Sequence, residues 1–212
     1  MNTCSKLLAN FSLAALSVLG FYSCKDSDDL DDHLIPDQKV EFVVPDEKMG
    51  VDMGLSVKWA PFNVGASKPT EYGNYYAWGE IEPKKLYTVD NYTVYDYSNE
   101  LDIYGTNHDV AHVKWGSKWR MPTIEETLEL AQKCTWEEVE IDGVKGMRVT
   151  GPSGNSIFLP AGGRRVDDRI EDLGSYGHYW QGSYAIIENV ELYYYDVNQV
   201  IWGLSVRPVW AE

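Results

Sequence analysis

From Val51 onward the chain alternates polar and apolar residues over most of its length. Leu55, Val57, Trp59 and Pro61 take one side of a period-two pattern, with Ser56, Lys58 and Ala60 on the other. That pattern predicts a strand, closed by Asn63-Val64-Gly65. Aromatic or β-branched runs bounded by Gly, Asn or Pro predict further strands over 75–78, 156–159, 179–184 and 190–195. Asp142-Gly143, between Val139-Glu140-Ile141 and Met147-Arg148-Val149, supplies the positive φ angles of a hairpin turn. One stretch changes period. Thr123 and Glu126 form a T-x-x-E capping box, followed by Ile124, Leu128, Ala131 and Cys134 at spacings of three and four. These predict an amphipathic helix whose apolar face ends at a buried Cys134. On that reading, losing Thr123 costs about 1 kcal/mol and losing Glu126 less. The elements together predict an α+β domain of mostly antiparallel strands with one or two helices.

Two short segments recur. Gly54-Leu55-Ser56-Val57 returns as Gly203-Leu204-Ser205-Val206, and Tyr72-Gly73-Asn74-Tyr75-Tyr76 is similar to Tyr176-Gly177-His178-Tyr179-Trp180. Their order is mirrored, whereas solenoids and propellers keep a constant order. This is not a repeat protein.

The first residues read differently. Lys6 precedes a mostly apolar stretch, Leu7 to Tyr22, broken by Asn10, Ser12 and Ser17. It is too short and too interrupted for a membrane span and reads as a secretory signal over residues 1–23. Phe21-Tyr22-Ser23-Cys24 resembles a bacterial lipobox, with Phe in place of the usual Leu. The expectation is therefore a lipid on Cys24, with an ordinary signal peptide as the plainer alternative. Asp26, Asp28, Asp29, Asp31 and Asp32 follow at once, and such a charge block stays extended and solvated. Residues 24–48 are read as a lipidated acidic tether, and 49–212 as the domain.

Charge and cysteine count narrow the function. The net charge is −15 and no basic patch is visible, so nucleic acid is excluded as a partner. Of three cysteines only Cys134 remains after Cys4 and Cys24, so no disulfide braces the domain.

Six blocks carry a resemblance: VDMGLSVKWAPFNVG, EYGNYYAWGE, HVKWGSKWRMPTIEE, GPSGNSIFLPAGGRR, GSYGHYWQGSYA and GLSVRPVW. Together, through most of 50–210, they resemble the Fibrobacter succinogenes major paralogous domain, common in surface lipoproteins of gut Bacteroidetes. The resemblance implies a C-type lectin-like fold. It also makes the acidic run look like an export signal to the outer face of the outer membrane. In that fold the first and last strands pair, so the two GLSV segments are expected side by side, with 151–199 forming loops away from the closure.

Chemistry is sparse. His108 and His112 stand at i, i+4 without an HExxH glutamate, and the histidines read as solvated or capping. Asp167-Asp168 and Glu171-Asp172 could offer oxygens to Ca²⁺, but EPN- and WND-type sequences are absent, and Glu82-Pro83 runs into Lys84. No metal or cofactor is assigned. The formylglycine-generating branch of the fold uses paired cysteines, which this domain lacks. Ser153, in Gly151-Pro152-Ser153-Gly154, reads as a turn residue. Arg120 reads as a structural partner for a carboxylate. Trp59, Trp78, Trp119 and Trp180 are expected in the core. No enzyme is expected. The function read from the sequence is a surface lipoprotein binding an external glycan or protein ligand, with an assembly component or an unrecognised enzyme as the other classes. Loops on a rigid scaffold carry binding residues. Arg165, Asp167, Asp168, Tyr184, Tyr194 and Asn198 are accordingly the candidate ligand surface, with 92–104 as runner-up.

Overall fold

The computed structural model describes residues 44–46, 49–94, 102–116, 118–182, 185–188, 191–194 and 199–211. Twelve short strands and two helices are present among them: β1 Lys58–Trp59, α1 Val110–Trp115, β2 Trp119–Arg120, α2 Ile124–Lys133, β3 Thr135–Ile141, β4 Val144–Thr150, β5 Ser156–Pro160, β6 Arg164–Val166, β7 Arg169–Glu171, β8 His178–Trp180, β9 Ala185–Glu188, β10 Glu191–Tyr194, β11 Ser205–Val206 and β12 Val209–Trp210. The class is α+β, and all strand pairs are antiparallel except the parallel β8–β11 contact.

The first and last strands of the domain meet in a three-stranded sheet of order β1–β12–β2. The closure is displaced from where the repeated tetrapeptide suggests. Lys58-Trp59 pairs with Trp210-Val209, while residues 54–57 of the first GLSV are a series of bends. Ser56 docks instead on α2, its amide and hydroxyl donating to Glu129 Oε2 at 2.9 and 2.5 Å. The second GLSV lies between the two mirrored tyrosine segments. Leu204 bridges Tyr76, and Ser205-Val206 runs parallel to Tyr179-Trp180. The mirror in the sequence thus becomes two flanks of one strand.

Alternation along these strands divides the core in two. Trp119 and Trp210 point into a large aromatic cluster with Phe62, Tyr76, Trp78, Trp115 and Trp180. Their neighbours Trp59 and Val209 face a second cluster with Met53, Leu130, Val149, Leu159 and Tyr179. Neighbouring strand residues must face opposite sides, so the closure sheet is the wall between the clusters. All four tryptophans expected inside are buried.

Arg207 stitches this wall together. It is 2 % exposed, and among the described residues no carboxylate pairs with it. Its Nε donates to Asn63 Oδ1 at 2.8 Å, Nη1 to the Ala60 carbonyl at 3.2 Å and Nη2 to the Phe158 carbonyl at 2.9 Å. Burial pulls its guanidinium down to about 10, so it stays charged at neutral pH.

The helix at 124 begins as the sequence predicts. Thr123 Oγ1 accepts from the Glu126 amide at 3.3 Å, and Glu126 returns the bond to the Thr123 amide at 2.8 Å. Its buried face is rotated, however. Glu126, Thr127 and Leu130 are buried, while Ile124 and Leu128 are half-exposed and Cys134 is a half-buried C-cap. The cause is Arg120, which grips Glu126 in a two-pronged pair at 2.6 and 2.8 Å and turns that side inward. Arg120 is the structural partner expected. Helix α1 has no apolar run to announce it. Buried Asp109 caps it, accepting amides from Ala111 and His112 on Oδ1 and from Gly105 and Met121 on Oδ2.

The Asp142-Gly143 hairpin forms with φ of 51° and 79°, joining β3 to β4. Other expected strands are shorter than the sequence suggests. Tyr75–Trp78 makes only a bridge at Tyr76, and the run from Tyr179 breaks after Trp180, with β9 starting at Ala185. The segment 151–199 is not loop alone, since its described residues contribute β5 through β10.

Candidate functional site

The β6–β7 hairpin is built by register. Arg164 pairs with Glu171, Arg165 with Ile170 and Val166 with Arg169, leaving Asp167-Asp168 exposed at the tip. Asp167 takes a φ of 54°, which a short polar side chain tolerates. Two backbone clamps fix the hairpin. Asp167 exchanges hydrogen bonds with Tyr87, and Arg165 with Gly203.

Because strand residues alternate sides, the consecutive arginines diverge. Arg164 stacks on Trp202 at 4.6 Å and lies 3.4 Å from both Glu171 and Asp172. Arg165 lies over the Tyr75 ring at 5.4 Å, and among the described residues no carboxylate pairs with it. The platform beneath is rigid. Tyr75 donates its hydroxyl to the Gly162 carbonyl at 2.5 Å, and Tyr87 donates to the Tyr75 carbonyl at 2.6 Å. Burial pushes the Tyr75 phenol up to about 12 against the pull of Arg165, and raises Tyr87 likewise. Both remain neutral donors at ordinary pH.

Of the residues singled out from the sequence, Arg165, Asp167 and Asp168 come together on this hairpin. Tyr194 ends β10, paired with Ala185 in a different sheet. Tyr184, Asn198 and Cys24 lie outside the described residues, as do 95–101 of the runner-up segment. Within that segment Tyr92 is buried and donates to the Trp78 carbonyl at 2.8 Å, so it serves the core. Tyr104 is exposed beneath Arg120 at 5.6 Å.

The acidic pair after the tip is not a free loop. Glu171 and Asp172 are spent on Arg164, and Asp172 also lies 3.4 Å from His178 Nε2. His178 itself is 1 % exposed, which corrects its reading as solvated or capping. Its place in the buried strand β8, beside the buried strand β11, decides this. Among the described residues no group of three His, Cys, Asp or Glu could hold a metal ion.

A second concavity lies where the sheet β3–β4–β5 meets the turn after β7. It is a small cavity of about 60 Å³, lined among others by Trp136, Glu138, Lys145, Met147, Leu159, Ser175 and Tyr179. Register explains it. Glu138, Met147 and Leu159 stand side by side on one face, next to the row Trp136, Val149 and Ile157. That face covers the second core cluster at one end and runs past it at the other. Sequence patterning missed this cleft, because Thr135–Ile141 carries apolar residues on both faces. It also missed Arg164 and Arg207. The adjacent arginines in a chain with 33 acidic and 18 basic residues were the available signal.

Among the described residues no helix is long and apolar enough to cross a membrane. No family model matches the chain, no curated protein matches it, and no solved structure matches it.

Proposed function

We propose that this chain is a surface lipoprotein of the outer membrane, anchored through Cys24. On this reading residues 49–212 form a non-catalytic, C-type lectin-like domain that binds an external glycan or protein ligand through the β6–β7 hairpin. The observation that carries the binding reading is Arg165. In so acidic a chain, a half-buried guanidinium kept apart from every described carboxylate is not there for an internal ion pair. Its stacking on a hydrogen-bonded tyrosine fixes it in advance, so little order is lost when it donates to an incoming oxygen. Asp167 and Asp168 add exposed acceptors at the tip. Support for the lectin-like reading comes from the joining of the first and last described strands in one sheet within an α+β domain. Support for the anchor comes from Phe21-Tyr22-Ser23-Cys24 and the aspartates after it.

A screen of the full chain against glycan and protein arrays tests the binding reading. A ligand should emerge whose affinity falls about tenfold or more in Arg165→Ala, with thermal stability unchanged. Binding that survives Arg165→Ala and the double substitution of Asp167 and Asp168 would move the site off the hairpin. Fatty-acid labelling of the chain should disappear in Cys24→Ala, and labelling that persists would remove the anchor.

A further inference from the structure

Gln181 is a polar side chain in an apolar place. It follows β8 directly and is 1 % exposed, yet neither its Oε1 nor its Nε2 has a hydrogen-bond partner among the described residues. The buried Trp59 indole in β1 is in the same condition, with Nε1 unpaired. These two residues line one small cavity, together with Thr127, Arg207, and Leu130 and Leu159 of the second core cluster. Its volume is about 10 Å³. A single water needs roughly 10–15 Å³ on that measure, and two to four polar partners besides.

The lining supplies donors and acceptors together. Trp59 offers one N–H, and Gln181 offers an amide NH₂ and a carbonyl oxygen. Thr127 Oγ1 spends its proton on the Thr123 carbonyl at 2.9 Å and keeps its lone pairs. Arg207 Nη2 gives one of its two N–H groups to the Phe158 carbonyl and keeps the other. An occupant must therefore accept from nitrogen and donate to oxygen. A metal cation would be repelled by the guanidinium, and a halide would leave Gln181 Oε1 stranded. Water does both.

We propose that this cavity is a binding site for one internal water molecule. The water accepts from Trp59 Nε1 and donates to Gln181 Oε1, with Thr127 and Arg207 as its remaining partners. It thereby links β1 of the closure sheet to α2 and to the chain leaving β8. A buried amide left unpaired carries the full cost of its desolvation, and an apolar side chain of the same shape would avoid that cost. The bridging water gives the glutamine a purpose that packing alone does not. The inference is independent of the ligand-binding reading, since the cavity and the β6–β7 hairpin share no residue.

Oxygen-17 magnetic relaxation dispersion of the full chain tests this, because it counts internal waters that outlast molecular tumbling and is blind to proton exchange. Its amplitude should fall by the contribution of one water in Gln181→Met, which keeps the bulk and removes both polar atoms. Nitrogen–proton spectra then locate the water. The Trp59 indole proton, assigned by its loss in Trp59→Phe, should show a cross-relaxation peak with water that disappears in Gln181→Met. The other indole resonances report that the variant is folded. An unchanged dispersion amplitude overturns the proposal. Should Gln181→Met fail to fold, the native chain decides alone, and absence of the water peak on the Trp59 indole overturns it. Chloride or bromide moving the Trp59 resonance saturably, where sulfate does not, would reassign the cavity to a halide and remove the water.

Discussion

Arg207 and Arg165 are both arginines without an acidic partner among the described residues, and they lie in opposite circumstances. Arg207 is enclosed where the first and last strands of the domain meet, and three of its nitrogens meet oxygens of Asn63, Ala60 and Phe158. Arg165 is half-buried at a hairpin, rests on Tyr75 and spends no hydrogen bond on a described carboxylate. A buried cation without a carboxylate survives only when its donors are met by other acceptors. A partly exposed one needs no such provision, because water or a ligand completes it. The same residue type therefore marks a seam in one region and, on the function proposed, a contact surface in the other.

The largest effect should come from breaking the seam. Arg207→Ala strands three carbonyl-type oxygens in the interior and opens a void, and we expect a loss of about 4 kcal/mol in chemical denaturation. Arg207→Lys should recover little, because one ammonium cannot span Asn63, Ala60 and Phe158 together. Arg165→Ala should by contrast change stability by less than about 0.5 kcal/mol. Equal losses at the two sites would erase the distinction drawn between them.

The second effect concerns Glu126. The capping box alone ranks Thr123 above Glu126, but Glu126 also holds Arg120 through both oxygens, with side chains 11 % and 17 % exposed. Glu126→Ala should therefore cost about 2–3 kcal/mol, since it leaves a half-buried guanidinium and the Thr123 amide unpaired. Thr123→Ala should cost about 1 kcal/mol. Thermal melts of both variants and of Arg120→Ala decide the order.

The smallest effect depends on pH. Burial pushes the Glu129 carboxyl up, but Lys133 and the hydroxyl and amide of Ser56 outweigh it and hold it down at about 2, from an ordinary value of 4.5. A depressed acid stabilises the fold above its unfolded pKa and loses that contribution as pH falls through the folded one. Melting temperature should drop between pH 4.5 and pH 2, and Glu129→Gln should flatten that part of the curve. A curve of unchanged slope in Glu129→Gln would mean that the 54–57 segment is not held through this carboxylate.

Much of the local structure was legible because its causes are local. The Asp142-Gly143 turn, the start of α2 at Thr123 and the four buried tryptophans each follow from residues within a few positions, or from bulk apolarity. Arg165, Asp167 and Asp168 were named together from their place in the chain order, but the hairpin that joins them was not foreseen. The sequence alone also determined that the domain stands without a disulfide and that the chain is strongly acidic. Tertiary structure decided what depends on partners distant in the chain. It moved the closure from GLSV to the residues after it, and it rotated α2 through Arg120. It buried His178 beside Asp172 and sorted four arginines into an internal ion pair, a shared stacking pair, a carbonyl clasp and a stack on Tyr75. The reason is physical. A side chain's type fixes which bonds it can make, but only the fold sets which acceptors stand within reach and whether water is excluded from them.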